Sequence, residues 1–497
     1  MPFVNFFLSF RRKTLAFLLP AIERILQSDR DYYQAGRNVG ILVISPTREL
    51  ATQIGDQAEK LLSFQKQMNV QVVFGGTNMK TDVNRLTRRL PTVLVATPGR
   101  LLDHLQSTRI GGQSFGRDIM RNTPVVVLDE TDRLLDMGFR NDIQKIFKYL
   151  PRGDQRQTLL FSATIPSDLK KIMADNMKKD FIEVDCINDG DAASHTNAQV
   201  AQSHVIVQPD RFVSSVIEIV RLAMEEDGTS ETNKKAVVFF PTARMVAFFS
   251  ELFNVGLGIP VIELHSKKTQ GYRNRMSDAF RNAETGVLFT SDVSARGVDY
   301  PNVSHVIQFG IPDSRDQYIH RLGRTGRGGN EGRGWLVLSS WESPFLRELT
   351  GLEIPPDETL TRMFQEPMST ETEEMLQPVR ERIARGDMPL SGSANLAYQA
   401  FLGYYLGKMK PLKMGRKEEL VDVANNFAML TGLRQPPAMP KQLLGKMGLK
   451  GVAGLNVGGS DSGGGGRGGG NREHRGHSDG RRAPGRGSGT RRRERRS

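Results

Sequence analysis

Hydrophobic positions in this chain fall into two series of short, uninterrupted apolar runs separated by amphipathic stretches. The first series reads ILVIS at 41–45, QVVFG at 71–75, TVLVAT at 92–97, VVVLDE at 125–130, TLLFSAT at 158–164 and FIEVD at 181–185. Runs so rich in β-branched residues, without polar alternation, predict strands buried on both faces of a parallel sheet. Between them, 49–64 and 100–106 carry apolar residues at helical spacing. The alternation predicts a βαβ series, hence an α/β domain over 1–188. The small polar stretch 189–197 reads as a linker. A second series follows with SHVIVQ at 203–208, AVVFF at 236–240, VIELH at 261–265, GVLFTSD at 286–292, HVIQFG at 305–310 and GWLVLSS at 334–340. It predicts a second α/β domain over 198–341. Strand patterns stop after Trp341, and 342–457 shows helical periodicity at 370–385, 394–408 and 417–431, a helical extension. Residues 458–497 are rich in Gly and Arg with almost no apolar content, and disorder is expected there.

Composition narrows the classes. The chain has 497 residues, 38% of them hydrophobic and 25% charged, a globular balance too long for one ordinary core. No apolar run approaches the roughly 20 residues of a membrane helix, so no membrane partner is expected. The single cysteine, Cys186, excludes an internal disulfide and fits a reducing compartment. The net charge of +13 favours a polyanionic partner. Eleven arginines against four acidic residues give 458–497 a net +7, which leaves +6 for the residues before it. The tail therefore suits non-specific tethering of nucleic acid through Arg–phosphate pairs and stacking.

Candidate chemistry sits at strand ends. The run at 125–128 leads into Asp129-Glu130-Thr131-Asp132. An apolar strand that delivers two carboxylates at its C-terminal end suits the Walker B role. Asp129 would hold Mg²⁺, and Glu130 would orient or deprotonate an attacking water. Two more strand ends, Pro46-Thr47-Arg48 and Thr97-Pro98-Gly99-Arg100, combine a hydroxyl, an arginine and a helix start. That combination suits the phosphates of a nucleic-acid backbone. In the second domain, 318–327 packs His320, Arg321, Arg324 and Arg327 into a Gly-spaced stretch. Arginines presented across a cleft can stabilise charge on a transferring phosphoryl group.

Taken in order, PTRELA at 46–51, TPGRL at 97–101, LDETD at 128–132, SAT at 162–164, SDVSARGVD at 291–299 and HRLGRTGR at 320–327 resemble the motif series of DEAD-box RNA helicases. The resemblance spans about residues 13–340. It implies two tandem RecA-like domains with parallel sheets, which hydrolyse ATP with Mg²⁺ when RNA bridges them. It implies local, sequence-independent opening of duplexes and single-strand binding, by a protein expected to be monomeric. Position by position, it makes Asp129 and Glu130 the metal and water-activating carboxylates, with Ser162 and Thr164 coupling hydrolysis to unwinding. Pro46, Thr47, Arg48, Gly75, Gly76, Thr97, Gly99 and Arg100 match RNA-backbone positions of the first domain. In the second domain, Gln270, Arg273, Ser291 and Asp292 match RNA-binding positions. Gly297 and Asp299 face the nucleotide, Arg324 and Arg327 match arginine fingers, and His320 and Arg321 support them. Three stretches of the extension, at 397–405, 424–427 and 446–456, resemble fungal mitochondrial members that act as RNA chaperones in group I and II intron splicing. That resemblance implies a mitochondrial matrix address.

The pattern is departed from twice. Lys13-Thr14, which would touch phosphate and Mg²⁺, are followed by the expected helix but preceded by Leu8-Ser9-Phe10-Arg11-Arg12 where the family has glycines. Glycine is needed there because consecutive N–H groups must turn inward and approach phosphate closely. A truncated or mis-specified start is the expectation. The second departure is Thr131 where the family has Ala, and a modest effect is expected. Two other readings stay open on the sequence. One is an RNA-binding or annealing protein with weak or no ATPase; the other is a DNA-directed helicase of the same superfamily.

Overall fold

The computed structural model describes residues 10–27, 33–162, 167–184, 200–225, 234–292, 300–326 and 331–458. The linker 189–197, the tail beyond Gly458 and the site positions Thr164, Gly297, Asp299 and Arg327 lie outside the described residues.

The first sheet is built from β1 (Ile41–Ile44), β2 (Val70–Val73), β3 (Val93–Ala96), β4 (Val125–Leu128) and β5 (Gln157–Leu160). Its strands are all parallel, in the order β2-β3-β1-β4-β5. The register pairs Val43 with Val95 on one side and with Val127 on the other. The uninterrupted apolar runs have a direct cause. Ile41, Val43, Val93, Val95, Val125 and Val127 pack on one face, with helix Phe10–Leu26 and helix Arg48–Leu61. Their neighbours Leu42, Ile44, Leu94, Ala96, Val126 and Leu128 pack on the other. Alternate side chains leave a strand on opposite sides, and here neither side meets water.

The second sheet comprises β6 (Val200–Val207), β7 (Lys235–Phe239), β8 (Ile262–Leu264), β9 (Gly286–Thr290), β10 (His305–Phe309) and β11 (Gly332–Ser339), in the parallel order β8-β9-β7-β10-β11-β6. Its two faces are likewise apolar, with Val237 and Phe239 on one side and Ala236 and Val238 on the other. Two RecA-like domains with parallel sheets are therefore present.

The extension does not form a separate core. Its helices Thr370–Arg385, Leu390–Leu406 and Lys417–Leu430 bury Leu376, Val379, Tyr398, Phe401, Tyr405, Leu420 and Phe427 in the same cluster as Phe212 and Phe249 of the second domain. Phe401 stacks on Phe427 at 4.7 Å, and Phe427 meets Phe212 edge-on at 6.2 Å.

One expected strand is missing. Residues 181–184 form no strand, and Phe181 and Ile182 are 37% and 65% exposed. The run has no burial to support it, and apolar content alone does not make a strand. A short antiparallel pair, Arg109–Ile110 with Gln113–Ser114, leaves no pattern in the sequence, because two residues a side carry no periodicity. Among the described residues no helix is long and apolar enough to cross a membrane.

Candidate active site between the two sheets

Strand β4 ends inside the molecule. Asp129 is fully buried, and its N–H donates to the Ile44 carbonyl at 3.0 Å. Its Oδ1 accepts the Glu130 N–H at 3.0 Å, while Oδ2 has no hydrogen-bond partner among the described residues. Burial pushes the Asp129 carboxyl up to about 7, opposed by the positive charge of Lys13 and reinforced by the negative charge of Glu130. Glu130 sits at φ 47°, ψ 55°, a left-handed conformation rare outside glycine. It opens helix Thr131–Asp136, and its Oε2 lies 3.8 Å from Arg133 Nη1.

Thr131, the departure from the family pattern, is fully buried, and its hydroxyl lies 3.3 Å from the Leu128 carbonyl and 3.1 Å from that of Phe161. Its N–H also donates to Phe161 O, at 3.0 Å. One residue on, the Asp132 N–H donates to Ser162 Oγ at 3.1 Å. The carboxylate turn is thus laced to the end of β5. A hydroxyl fits where the family has a methyl because main-chain acceptors stand beside it.

The second domain reaches this turn with helix Arg315–Leu322. His320 Nε2 lies 3.3 Å from Asp132 Oδ2, and Arg133 Nη2 donates to the Asp292 carbonyl at 2.7 Å. Asp292 Oδ1 in turn accepts from Gln317 at 2.7 Å and from Arg321 Nε at 2.8 Å. Arg321 is fully buried, with its guanidinium 5.4 Å from the Phe239 ring centre. Arg324, just past the helix, is buried and donates to the His320 carbonyl at 3.3 Å.

A second bridge lies at the end of β1. Thr47 caps helix Arg48–Leu61 by accepting the Leu50 N–H at 3.3 Å, beside the buried Pro46. Arg48 Nη1 donates to Gln270 of the second domain at 3.4 Å, and Glu49 pairs with Arg273 at 2.9 Å and accepts from Gln270 at 3.1 Å. Gly76, at φ 85°, stands under this arginine: a Cβ there would fall 2.5 Å from Arg48 Nη1, while one at Gly75 would stay 3.7 Å from Nη2. Arg100 is turned inward, paired with Asp82 and donating to the Thr77 carbonyl at 2.6 Å. It holds the loop that carries Gly75 and Gly76. Thr97 precedes helix Pro98–Ser107 without capping it, and a Cβ at Gly99 would meet nothing within 4 Å. Ser291 is buried at the end of β9.

Asp129, Glu130, Ser162, Asp292, His320 and Arg321 thus gather at one place across the domain boundary, and Arg48, Gly76, Gln270 and Arg273 at another. Four participants were not singled out. Glu49 and Asp132 lie within the quoted motifs, Arg133 follows one directly, and Gln317 precedes another. Their signal was adjacency; the partners of Glu49, Asp132 and Arg133 are more than 150 positions away, and that of Gln317 is 25.

The end of β4 offers oxygen donors for a divalent cation. The unpartnered buried oxygen of Asp129 and the neighbouring Glu130 carboxylate suit one. No group of three or more His, Cys, Asp or Glu among the described residues could hold a metal unaided. Phosphate oxygens and water would complete the shell. Lys13 and the buried Thr14 lie in helix Phe10–Leu26, which starts three residues ahead of Lys13. The backbone there is helical, not an inward-turned cradle.

A profile of the DEAD/DEAH box helicase family matches residues 13–172, and one of the helicase conserved C-terminal domain matches 214–329. DEAD-box ATP-dependent RNA helicase 26 of Arabidopsis thaliana is 42% identical over 450 residues, which cover 90% of this chain and 49% of that protein. The chain thus spans about half the length of that relative. DEAD-box ATP-dependent RNA helicase 31 of Oryza sativa subsp. japonica is 42% identical over 445 residues, 89% of this chain and 76% of that protein. Among solved structures, Mss116p bound to single-stranded RNA and AMP-PNP superposes with a TM-score of 0.72 at 28% identity, covering 89% of this chain and 84% of that one.

Proposed function

The chain belongs to the family of DEAD-box ATP-dependent RNA helicases, and from that premise we propose that it couples ATP binding and hydrolysis to local, sequence-independent opening of RNA duplexes. One observation carries the reading. The carboxylate turn at 129–132 and the arginine helix of the second domain are joined through Asp132–His320 and Arg133–Asp292. Separation of the domains would undo that join, so a ligand that bridges them governs whether the chemical groups meet.

The residues divide the work. Glu130 orients the attacking water and takes its proton, held in place by its left-handed backbone. Asp129 and Thr14 would hold Mg²⁺, which supplies charge neutralisation on the phosphates. Arg324 and Arg327 would stabilise the charge that develops on the transferred phosphoryl group. RNA lies along the first domain's helix starts at Thr47 and Thr97 and the Gly75-Gly76 loop, and reaches the second domain at Gln270, Arg273, Ser291 and Asp292. Contact through phosphates and sugars reads no sequence. The Gly/Arg tail adds a tether. The extension motifs support an RNA-chaperone role by a monomer in the mitochondrial matrix, a reading that cell fractionation tests.

A second reading, RNA binding or annealing without ATP turnover, is favoured by the helical backbone ahead of Lys13. Strand displacement separates the two. A short RNA duplex should open with ATP but not with a non-hydrolysable analogue, and a DNA duplex should not open. Equal displacement without ATP would favour the annealing reading.

A further inference from the structure

The arginine helix Arg315–Leu322 is entered through residues 310–314; Gly310 N–H is held by the Val337 carbonyl of β11 at 2.9 Å, and the side-chain anchors beyond it come from the extension or its root. Gly310 lies at φ 73°, where a Cβ would fall 2.7 Å from the Tyr405 hydroxyl and 2.8 Å from Pro241 Cγ. The Ile311 N–H donates to Glu342 Oε1 at 3.2 Å, and the Tyr405 hydroxyl donates to the same oxygen at 2.5 Å. The Ile311 carbonyl accepts the Tyr404 hydroxyl at 2.8 Å. Lys408 Nζ donates to the Asp313 carbonyl at 2.8 Å and pairs with the Asp313 carboxylate at 2.5 Å. The next residue, Ser314, caps the helix by accepting the Gln317 N–H at 3.2 Å.

We infer that the extension helix Leu390–Leu406 and the turn after it form a positioning device for the arginine helix, with Tyr404 and Lys408 as positioning residues for hydrolysis. The physical reason is leverage. An eight-residue helix moves as a rigid piece, so a shift at its entry is carried to His320, Arg321 and Arg324. The Ile311 and Asp313 carbonyls take their side-chain donors from this device alone, Tyr404 for the first and Lys408 for the second, so it is what fixes their direction. Packing alone does not explain the arrangement, because the aromatic cluster around Phe401 would hold the extension on the domain without these three polar contacts. The catalytic half of this inference rests on the ATPase reading above; the structural half does not.

The test uses the full chain with Tyr404→Phe and Lys408→Met combined. Tyr398→Phe is the control: it removes a buried hydroxyl bonded to Asn425 at 2.9 Å, within the extension and away from residues 310–314. Amide hydrogen exchange over 315–322 should quicken by roughly tenfold in the double variant and stay unchanged in the control. Unchanged exchange in the double variant, or equal acceleration in both, would overturn the inference. RNA-stimulated kcat should fall by roughly tenfold in the double variant with KM for ATP unchanged, since arginine contacts act on the transition state. Lys408→Arg alone should retain it. Faster exchange with an unaltered kcat would overturn the catalytic half. An unsubstituted chain without ATPase would count against the proposed function, and the exchange result would still decide the positioning claim.

Discussion

His320 of the second domain stands 3.3 Å from the carboxylate of Asp132 in the first, although 188 positions separate them in the chain. Asp132 is 3% exposed and His320 15%, so the contact is sheltered from water. A polar contact in such a setting should be coupled to domain closure. In a double-mutant cycle of His320→Ala and Asp132→Ala, RNA affinity measured with a non-hydrolysable ATP analogue should show a coupling of about 1–2 kcal/mol. Additive losses would mean the two side chains act separately.

Thr131 replaces the family's alanine at little cost because two carbonyls flank its hydroxyl. Both are also main-chain acceptors, Leu128 from Phe161 N and Phe161 from Thr131 N, so truncation strands neither. Thr131→Ala should therefore lower unfolding stability in urea by no more than about 1.5 kcal/mol and leave turnover unchanged. A larger loss would show that the hydroxyl holds the carboxylate turn in shape.

Two glycines proposed to face RNA, Gly76 in a loop and Gly99 in the first turn of helix Pro98–Ser107, should behave oppositely. Gly76→Ala places a methyl 2.5 Å from the Arg48 guanidinium at φ 85°. The strain of ~1–2 kcal/mol would displace either the loop or Arg48, and RNA affinity should fall by roughly tenfold. Gly99→Ala meets nothing within 4 Å, so the fold should not notice it. Loss of RNA binding in a fully stable Gly99→Ala variant would then report a ligand at that surface. Titration of both with fluorescent single-stranded RNA, beside their melting curves, checks the contrast.

The sequence made both sheets readable because each strand is buried on two faces, which leaves continuous apolar runs. It did not make 181–184 readable, since Phe181 and Ile182 are apolar and yet exposed. Strand ends located the carboxylates and the two threonine-headed helix starts, and the Gly-spaced arginines at 318–327 marked the stretch that ends helix Arg315–Leu322. What the sequence withheld was pairing. Nothing near Glu49 points to Arg273, nor anything near Arg133 to Asp292; those contacts exist only once two separately folded sheets meet. Arg100 shows the same limit, because its pairing with Asp82 turns a phosphate candidate into a loop support.

Glu342 gives the fold a pH dependence. It is fully buried, and burial pushes its carboxyl from 4.5 up to about 7, against bonds from Tyr405, Ser339 and Ile311. The folded state therefore favours the protonated form. Its contribution is fully present below the ordinary carboxyl range and is lost as pH rises through about 7. Between about pH 5 and pH 8 the loss should be roughly 2 kcal/mol. Urea unfolding at both pH values, compared with Glu342→Gln, isolates it. An identical pH slope in the variant would assign the dependence to other groups.

The central claim, that the carboxylates at the end of β4 hydrolyse ATP under the control of RNA, meets its most direct test in steady-state ATP turnover by the chain and by Glu130→Gln, each with and without single-stranded RNA. RNA should stimulate turnover in the chain, and the substitution should reduce the stimulated rate by at least ~100-fold, the contribution of a positioned general base, while RNA binding persists. Turnover that is absent from the chain with RNA still bound, or that survives Glu130→Gln, would contradict the account.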